Sequence, residues 1–260
     1  MPKTALITGA SGGIGYEFAQ ELAAEGYNLV LVARSAAKLE EIQTNLSQKY
    51  SITVKVLAKD LSLPESAPAI FNQLESEKIV VDVLINNAGF GNFGEFTESE
   101  WQKEADMLQV NIFALTDLTK LFVKGMVARR QGKILNVAST AAFMPGPLMA
   151  VYYATKSYVL SFSEAIANEL QGTGVSVTVL CPGPTESGFQ AAASMEGSKI
   201  LIDQKLPTSA EVAKYGYRAM QERKVVAVHG FNNWLLTIFV KFLPRKKLAD
   251  IVRQAQAKAH

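Results

Sequence analysis

Apolar residues along this chain come in short unbroken runs. The runs alternate with longer stretches in which apolar positions recur at threes and fours. The runs are TALIT (4–8), NLVLVA (28–33), ITVKVLA (52–58), VDVLI (81–85), KILNVAS (133–139), VSVTVLC (175–181) and VVAV (225–228). Most of them have no wet face, so they read as strands covered on both sides. Stretches such as IGYEFAQELAAEG and AAKLEEIQTNLSQKY put their apolar residues on one side of a helix. Strand, helix, strand repeated along the chain predicts a Rossmann-like α/β fold. Its mostly parallel, doubly wound, seven-stranded sheet carries helices on both faces. No Pro-, Gly- or Ser-rich linker, low-complexity tract or fixed-period repeat interrupts the pattern. The expectation is one domain over residues 1–230 with a C-terminal helical extension, 231–260, packed on it.

Composition narrows the function. The chain is 48% hydrophobic and 19% charged with a net charge of +2. That balance offers no footprint for nucleic acid. A single cysteine, Cys181, excludes an internal disulfide and suits a reducing compartment, so a cytoplasmic protein is expected. With two histidines, His229 and His260, and no CxxC or HExxH, no metal site is expected. The first apolar run stops at Gly9, too short for a secretion signal, and a strand feeding a turn explains it better.

That turn is TGASGGIG, with Gly9, Gly13 and Gly15. Glycines permit positive φ and close approach of a ligand to the backbone. A helix beginning near Gly13 would point unpaired N–H groups and a partial positive charge at a phosphate. A glycine-rich turn after a strand, opening a helix inside a βαβ unit, is the setting of a dinucleotide site.

A second stretch, VYYATKSY (151–158), sets three tyrosines around one lysine. On a helix, Tyr152 and Tyr153 lie four and three residues before Lys156 and share its face, whereas Tyr158 points away. A free phenol titrates near pH 10, and an ammonium held close is expected to lower that value. Spacing leaves both Tyr152 and Tyr153 as candidates.

Together, TGxxxGIG and YYATK resemble the classical short-chain dehydrogenases/reductases. NNAG (86–89) after the fourth run, NVAS (136–139) at the end of the fifth and CPGP (181–184) after the sixth continue the likeness over residues 3–230. The resemblance implies Tyr152 as acid/base, leaving Tyr153 and Tyr158 to packing or pocket wall. It implies a tetrad with Lys156, with Ser139 thirteen residues before Tyr152, and with Asn111. Lys156 would also hold the nicotinamide ribose, Ser139 would polarise a substrate carbonyl, and Asn111 would hold a proton-relaying water. Cofactor contacts are expected from Gly9, Ser11, Gly13, Ile14, Gly15, Asp60, Leu61, Asn87, Ala88, Gly89, Pro182, Gly183 and Thr185, besides Tyr152 and Lys156. The reaction implied is hydride transfer between a nicotinamide and a carbon bearing oxygen. A non-catalytic NADP-binding redox sensor on the same fold is the competing reading; such proteins tend to lose the tyrosine or lysine. A homodimer or homotetramer is the expected assembly.

The end of the second strand decides the cofactor. An acid there would bind an NAD ribose hydroxyl. This chain has Ala33, then Arg34 and Ser35, which suit a 2′-phosphate. NADP(H) is expected over NAD(H).

Phe90, Phe93, Phe143, Met144, Met149 and Phe189 lie in three segments, 89–96, 141–153 and 184–204, expected to enclose the substrate. With no arginine among them, an apolar ketone or alcohol is expected, lipid-like substrates included. The Ala-, Ser- and Gly-rich part of 184–204 reads as a lid. The tail FNNWLLTIFVKFLPRKK (231–247) has about ten apolar-rich residues before a basic triplet, half a membrane span. Trp234, Leu235, Ile238, Phe239 and Phe242 form one stripe. The expectation is a helical element covering apolar surface near the substrate entrance, ended or bent at Pro244. Peripheral contact of 234–247 with a membrane is the further option.

Overall fold

In the computed structural model, which describes residues 2–189 and 206–257, the seven runs form one sheet. The strands are β1 (Thr4–Thr8), β2 (Asn28–Ala33), β3 (Val54–Ala58), β4 (Val83–Asn86), β5 (Gly132–Val137), β6 (Val175–Cys181) and β7 (Val226–Val228). Their order is β3-β2-β1-β4-β5-β6-β7, and every pairing is parallel. Three strands start later than their apolar patterns, at Val54, Val83 and Val226, and β5 ends two residues early, at Val137.

Alternation explains the unbroken runs. In β1, Ala5 and Ile7 enter one core while Leu6 enters the other. In β2, Leu29, Leu31 and Ala33 face the first core while Val30 and Val32 face the second. The first core lies under α1 (Gly13–Ala24), α2 (Ala36–Tyr50) and α7 (Ser209–Gln221). The second lies under α3 (Ser66–Ser76) and α5 (Leu115–Ala128). Between α4 (Trp101–Leu108) and α5 the helix runs as a π-turn over Gln109–Ala114. The long α6 (Ala150–Glu169) carries the tyrosines and packs on β6.

Polar side chains tie the middle of the sheet together. Asn86 and Asn136 are register partners on β4 and β5, and the Asn86 amide donates to Asn136 at 2.9 Å and Thr119 at 3.0 Å. Asn136 passes the chain on to Ser163 of α6 at 2.9 Å. These bonds satisfy the buried amide donors of Asn86 and Asn136, while the Asn86 side-chain oxygen has no partner among the described residues.

The tail differs from its expected form. Instead of one cover it makes two helices, α8 (Phe231–Phe239), continued by a 3-10 turn to Phe242, and α9 (Arg245–Gln256). Leu243 is extended and Pro244 caps α9, so the proline does end the first helix. The stripe on α8 does not cover the body. Its buried residues are Thr237 and Val240, whereas Trp234, Leu235, Phe239 and Phe242 face outward. Covering falls to α9, which the proline break makes possible, through Leu248, Val252 and Gln256.

Candidate active site

At β1 the strand order reverses, the place where open parallel sheets receive ligands outside their carboxyl ends. A cavity of about 470 Å³ opens there. Gly9, Ser11, Gly13 and Ile14 line one side, and Asn87, Ala88 and Gly89 the floor. Ser139, Tyr152 and Lys156 line the opposite side, with Pro182, Gly183 and Thr185 from the end of β6.

The glycine side is fixed by bonds within the protein. Thr8 Oγ1 accepts from the Asn87 and Ala88 N–H groups, each at 3.0 Å. The Asn87 amide donates to the Thr8 carbonyl at 2.9 Å and to that of Gly9 at 3.3 Å. Asn87 thus holds the turn with its side chain. Gly15 is the tight point of that packing, since a Cβ there would lie 2.3 Å from the Gly9 oxygen and 2.4 Å from the Asn87 amide nitrogen. Gly12, at the N-cap of α1, supplies no side chain to the helix end, and a Cβ there would meet open space. The end of a twelve-residue helix therefore faces the cavity with bare N–H groups, which fits a dinucleotide's phosphates.

Arg34, Ser35 and Asp60 stand at the ends of β2 and β3, outside the cavity wall. Ser35 is the N-cap of α2 and accepts from the Lys38 N–H at 3.4 Å. Asp60 accepts from the N–H and hydroxyl of Ser62; these bonds, and the Arg34 charge after them, hold its carboxyl below the usual range. Leu61 is buried in the second core, which leaves only its main chain to meet a ligand. The cavity gains a cation that sequence reasoning missed, Lys38 of α2. The Ser35 cap was its signal, because it places Lys38 in the first turn, four residues after Arg34.

Tyr152 is 8% exposed and its ring centroid lies 5.7 Å from Lys156 Nζ. Lys156 donates to the Val137 carbonyl at 2.9 Å, an acceptor that β5 offers just where it ends. The expected lowering of the phenol by this ammonium is not found. Burial pushes the Tyr152 phenol up, and the neighbour that opposes this is the Ser139 hydroxyl. Burial also pulls Lys156 down to about 8. Both groups are thereby biased toward their neutral forms, as desolvation requires. Ser139 accepts from the Ala141 N–H at 3.1 Å and donates to the Pro182 carbonyl at 3.4 Å, a long bond.

Asn111 lies behind Gly89, in the π-turn, and does not line the cavity. Its amide donates to the Phe90 carbonyl at 3.0 Å and to Thr155 at 3.1 Å, and its oxygen accepts from the Phe90 N–H at 3.1 Å. Both amide donors are used, so a water would have to donate to a carbonyl of this residue.

The six expected pocket residues gather in one apolar cluster around Tyr152. Met149 and Phe189 reach the cavity, while Phe90, Phe93, Phe143 and Met144 stand behind. The Tyr152 and Phe189 rings are 5.2 Å apart. Most of segment 184–204, read above as a lid, lies outside the described residues. Sequence reasoning missed Met107, Val240, Leu248 and Val252 of the same cluster. Tyr153 also lines the cavity, and its hydroxyl accepts a hydrogen bond from Gln256 at the end of α9. Arg253 bonds Glu95 at 2.6 Å, tying α9 to the loop before α4.

The model of the family described as short chain dehydrogenase matches residues 3–197. A very-long-chain 3-oxoacyl-CoA reductase of Pyrenophora tritici-repentis is 42% identical over 179 residues, 66% of this chain and 52% of the relative. The chain thus spans about half the length of these curated relatives. Among solved structures, a short-chain dehydrogenase from Sphingobium yanoikuyae in complex with NADPH has a TM-score of 0.83 at 29% identity, covering 99% of this chain and 98% of that one. A bulky-bulky ketone specific alcohol dehydrogenase from Comamonas testosteroni has 0.79 at 27%, covering 99% and 97%. The glycine turn, the tyrosine–lysine helix and the matched span lead to one conclusion: the chain belongs to the short chain dehydrogenase family.

Proposed function

We propose that this chain is an NADP(H)-dependent oxidoreductase. It would move hydride between nicotinamide and a carbonyl or secondary alcohol carbon of an apolar, lipid-like substrate. The observation that carries the reading is the placing of Ser139, Tyr152 and Lys156 on one wall of a cavity. The facing side is a bare helix end, and Met149, Tyr153 and Phe189 give the cavity an apolar part beside Tyr152.

A bound nicotinamide supplies or accepts the hydride. The protein's part is the proton and the placement. The neutral Tyr152 phenol is the donor to a substrate oxygen during reduction and takes the proton back during oxidation. Ser139 turns its hydroxyl from the long bond to Pro182 toward the same oxygen and stabilises charge developing there. Lys156 has given one of its three donors to Val137, which leaves two for ribose hydroxyls, and its positive charge stabilises the phenolate left after donation. Asn111 holds Phe90, and with it the strand-end turn that carries Gly89, in place.

Arg34 and Lys38, with no acid at the end of β2, support a 2′-phosphate ligand. The NADPH complex of the Sphingobium relative agrees with this. The relatives' names make long-chain 3-oxoacyl thioesters the first substrates to try. The test is NADPH consumption over a panel of such thioesters, bulky ketones and small ketones. Turnover that rises with chain length supports the proposal. NADPH binding with no turnover across the panel would favour the redox-sensor reading.

A further inference from the structure

The helix α8 is inside out. Its hydroxyl residue, Thr237, is buried and donates to the Trp234 carbonyl at 2.7 Å. Its large apolar residues are outside: Phe231 is 72% exposed, Phe239 59% and Phe242 80%. At about 100° per residue, Phe231, Trp234, Leu235, Phe239 and Phe242 fall on one face, and the rings of Phe231 and Trp234 stack with centroids 5.8 Å apart. A soluble helix carries its apolar stripe inward. An outward stripe of aromatics this dense is a surface meant to be covered.

Charge selects what covers it. From 231 to 247 there is no acidic residue, while Lys241, Arg245, Lys246 and Lys247 are all exposed. The break at Pro244 brings the last three directly after the stripe, in the first turn of α9. A second copy docked on this face about a two-fold axis would bring the same four cations against themselves. An anionic lipid surface answers both features, because aromatic side chains sit in the headgroup boundary and lysines and arginines pair with lipid phosphates. Among the described residues no helix is long and apolar enough to cross a membrane.

We infer that α8 and the first turn of α9 dock this protein on anionic membranes. The inference stands on the tail alone and is independent of the cofactor and substrate proposed above. It also places the lipid surface beside α9, the helix whose other face packs against the apolar cluster around Tyr152.

The test uses the full chain with vesicles of phosphatidylcholine alone or with about a third phosphatidylglycerol. Only Trp101 and Trp234 fluoresce as tryptophan, so Trp101→Phe leaves Trp234 as reporter. The expected result is co-flotation with anionic vesicles at least about 10-fold stronger than with neutral ones, a blue shift of Trp234, and release by high salt. Phe239→Ser with Phe242→Ser should abolish flotation. Lys241→Glu with Lys246→Glu and Lys247→Glu, confined to exposed side chains, should do the same if the first pair misfolds. Failure to float, or equal flotation with both vesicles, overturns the inference. So does sedimentation as a dimer in the absence of lipid that the serine pair converts to monomer, since a second copy would then be the occupant.

Discussion

The two sides of the cavity are built by opposite means. The side around Gly9 to Gly15 is held by short hydrogen bonds between neighbouring strand ends, Thr8 with Asn87 and Ala88. The side around Tyr152 and Tyr153 is held by apolar contact among pieces far apart in the chain, Met107, Ala141, Met149, Val240, Leu248 and Val252. Hydrogen-bonded turns tolerate little change of residue or spacing, because each donor and acceptor is already placed. Apolar walls accept many residues of similar volume. One side is therefore suited to a ligand of fixed shape and the other to apolar groups of varied shape.

If the proposed chemistry is right, the sharpest break of that contrast lies between two adjacent tyrosines. Tyr152→Phe should cut kcat by roughly 10²- to 10⁴-fold with NADPH affinity unchanged by titration. Tyr153→Phe should keep most of kcat, because its hydroxyl is engaged by Gln256 rather than by the reacting oxygen. The reverse pattern would mean that the acid/base had been assigned to the wrong ring.

On the hydrogen-bonded side, Arg34→Ala should weaken NADPH and leave NADH little changed. A lost charge-assisted bond is worth about 1.5–3 kcal/mol, roughly 10- to 150-fold. Lys38→Ala should act in the same direction and, with Arg34→Ala, should remove the preference for NADPH. Equal weakening of both cofactors would assign these cations to the strand end and not to a 2′-phosphate.

For the apolar side, the measurement is the ratio of KM values for a long and a short carbonyl substrate. Leu248→Ala and Gln256→Leu both loosen α9 against the Tyr153 wall. Each should raise KM for the long substrate several-fold while sparing the short one, since a hydrophobic contact contributes about 1–3 kcal/mol. A uniform loss of kcat would instead make α9 a support of the catalytic groups.

The smallest effect is a pH dependence of folding. Lys156 titrates at about 8 in the folded chain, against 10.5 for an ordinary lysine. Between those values the unfolded chain holds more protons, so stability rises with pH across that window. Below about 8 both states are charged and the cost of burying the ammonium is present in full. The difference in denaturant stability between wild type and Lys156→Met should therefore shift toward the wild type from pH 8 to 10.5. A flat difference would mean that the site admits enough water to keep the ammonium solvated.

The contrast also explains what the sequence made legible. Strands and the glycine turn follow from local rules, apolar runs and backbone freedom, and the alternation of Ala5, Leu6 and Ile7 between two cores repays the reading directly. The likeness to the family located Tyr152 and Ser139, which stand together on one wall. Burial defeated the electrostatic expectation for Tyr152, because desolvation depends on the packing of residues such as Phe189 and Met149 that spacing does not reveal. The tail failed for a related reason. Periodicity found the stripe on α8 but carries no sign to say which way a stripe faces. What turned it outward is visible only in three dimensions, where Thr237 and Val240 meet the body and the break at Pro244 sends α9 back to do the covering.

The all-parallel sheet has a consequence for synthesis on the ribosome. The first strand made, β1, ends up inside the sheet, and its second neighbour is β4, with Ala5 opposite Val83 and the Thr4 N–H donating to the Asp82 carboxylate at 2.9 Å. At 5–20 residues per second, the intervening eighty or so residues take roughly 4–16 s to emerge. Until they do, the side of β1 that will receive β4 is an unpaired hydrogen-bonding edge. For those seconds the nascent chain carries one unpaired edge of an interior strand, a surface open to pairing with another chain until β4 arrives.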